Sequence, residues 1–222
     1  MHIQWFGQSS FRLDAAGASV FIDPFGDISG LSARGLQFDY PPIEGVDADL
    51  VLVTHEHVDH NAVERIGGTP TVLRSTAGRL ESPIGEVLAV ASEHDAVAGT
   101  ERGPNTIFVF TLGGIRVAHF GDFGQAGLRE EQASAIGSVD LLFVPVGGRP
   151  TIGAEQAGAI ADRLGARWVV PMHYRTPRVN FLEPLDDLLE RLPKTHRVDA
   201  PAFDLDELPG TDGPLLVVPA AP

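Results

Sequence analysis

The stretch Leu50–Asn61, LVLVTHEHVDHN, decides the reading of this chain. Apolar residues from Leu50 to Val53 run without interruption toward His55, His57, Asp59 and His60. A short apolar run bounded by polar residues is the pattern of a strand buried on both faces. His55 and His57 stand two apart, so extended backbone turns both side chains to one side. Asp59 and His60 follow after the chain turns, and can face a second ion beside the first. Read only as a hydrogen-bonded polar turn, the stretch would bury several ionisable groups at a heavy desolvation cost. A bound cation removes that objection.

Working outward, the same residue types recur wherever a buried strand runs out. His94 follows VLAVASE, Asp122 follows IRVAHFG, and His173 follows RWVVPM. Loops at strand ends are where a rigid scaffold presents functional side chains. Strand ends converging on one edge gather His55, His57, Asp59, His60, His94, Asp122 and His173. The chain has no cysteine, so imidazole and carboxylate are the available ligands, and they suit Zn²⁺, Mn²⁺ or Fe. Seven such groups exceed one tetrahedral site. They suffice for two ions sharing a bridging carboxylate and a bridging hydroxide, a known hydrolytic device. His119 is expected to be buried beside the cluster rather than part of it, and His2 and His196 to be structural or solvated.

The rest of the sequence frames this cluster. The 222 residues are 43% hydrophobic with a net charge of −14, enough apolar material for a sizeable core and a surface that repels phosphate backbones. The N-terminus shows no basic segment leading into an apolar run, and no stretch approaches a membrane span. The expectation is a soluble, cytoplasmic protein acting on a small molecule, with no nucleic-acid or membrane partner and with a homo-oligomer left open. Strands come first, then strands mixed with helices, then strand–helix alternation, which predicts one α/β domain over residues 1–222. Helices are expected over residues 62–66, 127–136, 153–164 and 183–192. A loop region is expected over 26–48, a strand break at Pro171, a hairpin across Gly113-Gly114, and an edge strand at 215–218.

The motif THEHVDH resembles the H-x-H-x-D-H signature of the metallo-β-lactamase superfamily. Asp23 in FIDPF, His94, Asp122 in HFGD and His173 in PMHY match its remaining motifs in order, over most of the chain from Ile3 to about Tyr174. The resemblance implies a four-layer αβ/βα sandwich, two mixed sheets flanked by helices, with the site on its edge. It implies one metal held by His55, His57 and His94, a second by Asp59, His60 and His173, and Asp122 bridging them. Asp23 would support the site from below. WFGQSSFRL, VPVGGRPTI and VVPMHY are similar to the small single-domain branch related to L-ascorbate-6-phosphate lactonase. Many of its members carry His where this chain has Gln8, and another pair in place of Arg149-Pro150.

The expected function is that of a dinuclear metal-dependent hydrolase. A metal-bridging hydroxide would cleave a small ester, lactone or phosphorylated metabolite, with Asp59 orienting the nucleophile and taking its proton. The cofactors would be two divalent ions, zinc first, with manganese or iron compatible. Arg149, Thr151, Tyr174 and Arg102 are the candidate substrate contacts. Two other readings compete: a phosphodiesterase acting on lipid or nucleotide substrates, and a non-catalytic metal-binding sensor.

Overall fold

A computed structural model of the protein describes residues 1–28, 30, 35–210 and 212–222. Part of the loop expected over 26–48 therefore lies outside the described residues.

The strand Leu50–Val53 forms as the apolar run predicts, with all four residues buried. It lies parallel to Ala18–Ile22 on one side and to Thr71–Arg74 on the other. Their sheet has six strands, ordered Ala202–Asp204, His2–Gly7, Ser10–Ala15, Ala18–Ile22, Leu50–Val53, Thr71–Arg74. Alternation assigns its faces. Val20, Ile22, Leu50 and Leu52 enter the main core. Phe21, Val51 and Val53 face the other way, into a second cluster with Phe25, Phe38, Ile43, Val179 and Leu182. Two buried faces explain why this strand carries no polar residue.

A second sheet of eight strands runs Thr195–Val198, Leu215–Pro219, Trp168–Met172, Leu141–Pro145, Ile115–His119, Pro104–Leu112, Gly85–Glu93, Gly78–Ser82. It is antiparallel at the Gly78 edge and parallel from Ile115–His119 onward. Phe108, Phe110, Val117, Leu142 and Phe143 share the main core with Ile3, Trp5, Phe11 and Leu13 of the first sheet. The helix Ala154–Leu164 adds Ala157, Ile160, Ala161 and Leu164 to that core. The result is the expected α/β sandwich of two mixed sheets, with few helices.

Several element boundaries differ from the sequence reading. The helix expected over 62–66 is a single 3-10 turn, Val63–Arg65, followed by a short strand, Ile66–Gly67. Those over 127–136 and 183–192 shorten to Glu130–Ile136 and Asp186–Arg191. Pro171 does not break its strand, which continues to Met172. It sits where the ladder to Leu215–Pro219, limited to Trp168 and Val169, has already ended. Leu215–Pro219 is fully buried and interior rather than an edge, because Thr195–Val198 pairs outside it. Among the described residues no helix is long and apolar enough to cross a membrane.

Candidate metal centre

Each element delivering a site residue stops at the same edge of the sandwich. Leu50–Val53 leads to His55, His57, Asp59 and His60; Gly85–Glu93 to His94; Ile115–His119 to Asp122; Trp168–Met172 to His173. The seven expected residues meet there. Asp122 stands at the centre. Its Oδ2 lies 3.1 Å from His94 Nε2, 3.2 Å from His173 Nε2, 3.3 Å from His60 Nε2 and 4.0 Å from His55 Nε2. Asp59 Oδ2 is 3.6 Å from His60 Nε2, and His57 Nδ1 is 3.0 Å from His55 Nε2.

Asp122 is held from behind. Its Oδ1 accepts the Ser9 hydroxyl at 3.1 Å, and its backbone N–H donates to Asn105 Oδ1 at 3.0 Å. Asn105 is fixed in turn by donating to Ser92 Oγ and the Phe120 carbonyl. Backbone close approach also matters. A Cβ on Gly147 would lie 2.1 Å from the His173 carbonyl oxygen. That position therefore needs glycine for Leu141–Pro145 to run beside the His173 turn.

Asp23 is fully buried at φ 49°, below the cluster. It accepts the Thr54 N–H (2.8 Å), the Thr54 hydroxyl (2.7 Å) and His60 Nδ1–H (2.9 Å). The Thr54 hydroxyl has one proton, spent on Asp23, so toward His55 Nδ1 at 3.0 Å it acts as acceptor. One carboxylate thus anchors the Nδ1 side of both rings, directly for His60 and through Thr54 for His55, and turns both Nε2 atoms toward the cluster. Supporting the site from below is what the sequence reading assigned to Asp23.

The residues fit divalent cations. His60 Nε2 is buried at the cluster and makes no hydrogen bond, and a buried polar atom of that kind calls for a partner. Two groups of donor atoms lie within 4.8 Å of one another: His55, His57 and His94, and His55, His60 and Asp122. Electrostatics points the same way. Burial, then the charges of His60 and His94 opposing those of Asp122, drive His55 far below its ordinary pKa. Burial and His94 lower His57. For His60 burial works downward, yet Asp122, Asp59 and Asp23 outweigh it and hold the ring well above the usual range. Asp122 is kept well below the carboxylate range by His173 and His60 despite its burial. His55 and His57 are thereby neutral beside an ionised Asp122, which is their binding form, whereas His60 would give up its Nε2 proton to a cation that takes over the carboxylates around it.

The remaining sequence candidates separate. Arg102 and Arg149 are exposed and line the cavity of about 580 Å³ above the cluster, together with His57, Asp59, Asp122 and His173. Thr151 is buried, donates to the Gly148 carbonyl at 2.9 Å, and lies 3.5 Å from His173 Nδ1. It lies beneath His173 and lines the adjoining chamber, not the cavity over the cluster. Tyr174 does not reach the cavity as a donor. It is 6% exposed and stacked on Trp5 at 5.7 Å, and burial raises its pKa. His119 is fully buried between the Ser9 carbonyl and the Gly121 N–H, as expected for a residue outside the cluster, and burial lowers its pKa to about 4.

Other residues were not legible in the sequence. Glu56 ties the histidine loop to Arg74 at 2.6 Å and to Asn61. Gln8, at φ 52°, is buried on the cavity wall with its side-chain carbonyl unpartnered. Ile28, Leu36, Val58 and Phe181 give one side of the cavity an apolar surface. Of these, Gln8 stood out in the sequence only as a departure from the related branch, and the exposed Val58 as an apolar residue inside THEHVDH.

Comparison with known proteins agrees with this geometry. Residues 2–173 match the β-lactamase superfamily domain. A UPF0173 metal-dependent hydrolase of Methylobacterium nodulans is 32% identical over 207 residues, covering 78% of this chain and 85% of that protein. A UPF0173 protein of Pyrococcus abyssi is 30% identical over 197 residues, covering 79% and 84%. A solved structure from Thermotoga maritima, of a protein of the metallo-β-lactamase superfamily, superposes with a TM-score of 0.76 at 31% identity and covers 98% of both chains.

Proposed function

The chain belongs to the metallo-β-lactamase superfamily, and from that premise we propose that it is a dinuclear metal-dependent hydrolase of a small ester, lactone or phosphorylated metabolite. One observation carries the reading: seven His and Asp donors from both sheets meet at one edge of the sandwich, with His55 common to two groups whose donor atoms lie within 4.8 Å. Five histidines and two aspartates exceed the needs of a single tetrahedral ion. His55, His57 and His94 would hold one cation, Asp59, His60 and His173 the other, with Asp122 between them. Zinc suits this donor set first, and manganese or iron are compatible.

Bound there, the cations would supply Lewis acidity, making water acidic near neutral pH and offsetting charge on the reacting oxygen. The protein does the rest. Asp59 lines the cavity and orients the attacking water through one carboxylate oxygen while accepting its proton. Asp122 stays ionised and fixed by Ser9 and Asn105. Asp23 and Thr54 hold the Nε2 lone pairs of His55 and His60 toward the centre. Val58 and Phe181 give the mouth an apolar lip that limits bulk water.

Elemental analysis should find two metal ions per chain. Protein loaded with Zn²⁺, Mn²⁺ or Fe²⁺ should hydrolyse p-nitrophenyl esters or members of a lactone panel. His57→Ala and Asp59→Ala should lose metal and activity while keeping the fold. Absence of turnover with all three metals would favour the sensor reading. Turnover confined to bis-p-nitrophenyl phosphate would favour the phosphodiesterase.

A further inference from the structure

The cavity above the cluster adjoins a second chamber of about 670 Å³, and the two share Arg102, Arg149 and Pro150. Among the described residues, neither arginine side chain lies within ion-pair distance of a carboxylate. The other charges on the cluster-side wall are accounted for. Glu56 is paired with Arg74, and Asp59 and Asp122 belong to the cluster itself. Two guanidinium groups are left uncompensated in a chain whose net charge is −14. An acidic protein repels anions in general, so two unpaired guanidinium groups at the cavity over the histidines are a specific feature.

Both arginines sit on braced loops. The Asp95 carboxylate accepts backbone N–H bonds from Val97, Gly99, Glu101 and Arg102, at 2.7–3.0 Å. The turn carrying Arg149 is closed by Thr151, whose N–H and hydroxyl both donate to the Gly148 carbonyl. Glu101 and Glu183 line the second chamber but not the cluster side. With Glu56 held by Arg74, and Asp59 and Asp122 engaged by the histidines, an anion is favoured on the cluster side of the arginine pair. Val58, 65% exposed, and Phe181, 37% exposed, supply apolar surface in the same cavity.

We propose that Arg102 and Arg149 form an anion subsite, so that the substrate is an amphiphilic acid: a carboxylate or phosphate gripped by the arginines, an apolar portion against Val58 and Phe181, and the scissile bond over the cluster. The position of the scissile bond rests on the hydrolase reading; the anion subsite does not. Guanidinium suits either oxyanion through its fork of donors.

The test is calorimetric titration of the metal-loaded full chain with hexanoate, hexylphosphonate and hexanol. The anion that matches should bind at least about tenfold more tightly than hexanol. Whichever of the two binds better separates a carboxylate from a phosphate substrate. Arg102→Ala with Arg149→Ala should abolish the preference, and the double Lys variant should keep part of it. In kinetics, the mono-p-nitrophenyl ester of adipic acid should show a KM about tenfold below that of p-nitrophenyl hexanoate, with similar kcat. Equal binding of anion and alcohol would overturn the subsite. So would an anion preference that survives in the double Ala variant, since the metal ions alone would then hold it. Arginine-dependent anion binding without turnover of any ester would support the subsite while the hydrolase reading failed.

Discussion

Replacing Asp23 by Asn should weaken metal binding without touching a metal ligand. In the wild-type chain one Asp23 oxygen accepts the Thr54 N–H, and the other accepts both the Thr54 hydroxyl and His60 Nδ1–H. An Asn that keeps its carbonyl toward the Thr54 N–H puts an NH₂ where two donors already point. His60 must then move its proton to Nε2, where it can no longer bind a cation, or lose its partner. Replacing the support of a ligating histidine typically costs about 10–100-fold in metal affinity, or roughly 1.4–2.7 kcal/mol. The metal-free protein should also lose about 1.5–3 kcal/mol from hydrogen bonds to a buried charge. For a chain of this size that lowers the melting temperature by on the order of 5 °C. Competition with a chelator of known affinity measures the first quantity, and thermal unfolding in excess chelator the second. A metal affinity within twofold of wild type, alongside a lowered metal-free melting temperature, would refute the tautomer argument and leave Asp23 a purely structural residue.

Three further outcomes follow from particular contacts. His119 is buried neutral with its pKa lowered from 6.5 to about 4, so the unfolded chain takes up its proton first as pH falls. Its contribution is complete above about pH 6.5 and declines between 6.5 and 4, by roughly 3 kcal/mol; urea unfolding of His119→Gln should show a shallower loss over that window than wild type. Gly147→Ala would drive a Cβ into the His173 carbonyl and should cost about 1–3 kcal/mol by overpacking, with metal affinity falling as His173 is displaced; an unchanged denaturation midpoint would contradict this. Tyr174→Phe should leave kcat within about threefold of wild type, because the ring packs on Trp5 rather than facing substrate; loss of an oxyanion donor would instead cost about 100-fold or more.

What the sequence determined by itself was the chemistry of the centre. Imidazole and carboxylate crowded after an apolar strand have few uses, and ligand identity is a property of residue type. So His55, His57, Asp59, His60, His94, Asp122 and His173 were legible as a set, as were the main strands that carry them, because burial on both faces forces an unbroken apolar run. Element ends were less legible: the tail strand Leu215–Pro219 is interior only because Thr195–Val198 covers it, a contact no local pattern announces. The tertiary structure alone decided where other side chains point. Tyr174 follows His173 directly yet turns into the core against Trp5, and Thr151 turns beneath His173. Arg102 and Arg149, 47 positions apart by their numbering, come to line the same cavity through two separately braced turns. Candidate metal donors declare themselves by residue type, whereas packing partners and cavity contacts are set by long-range contacts that only folding brings together.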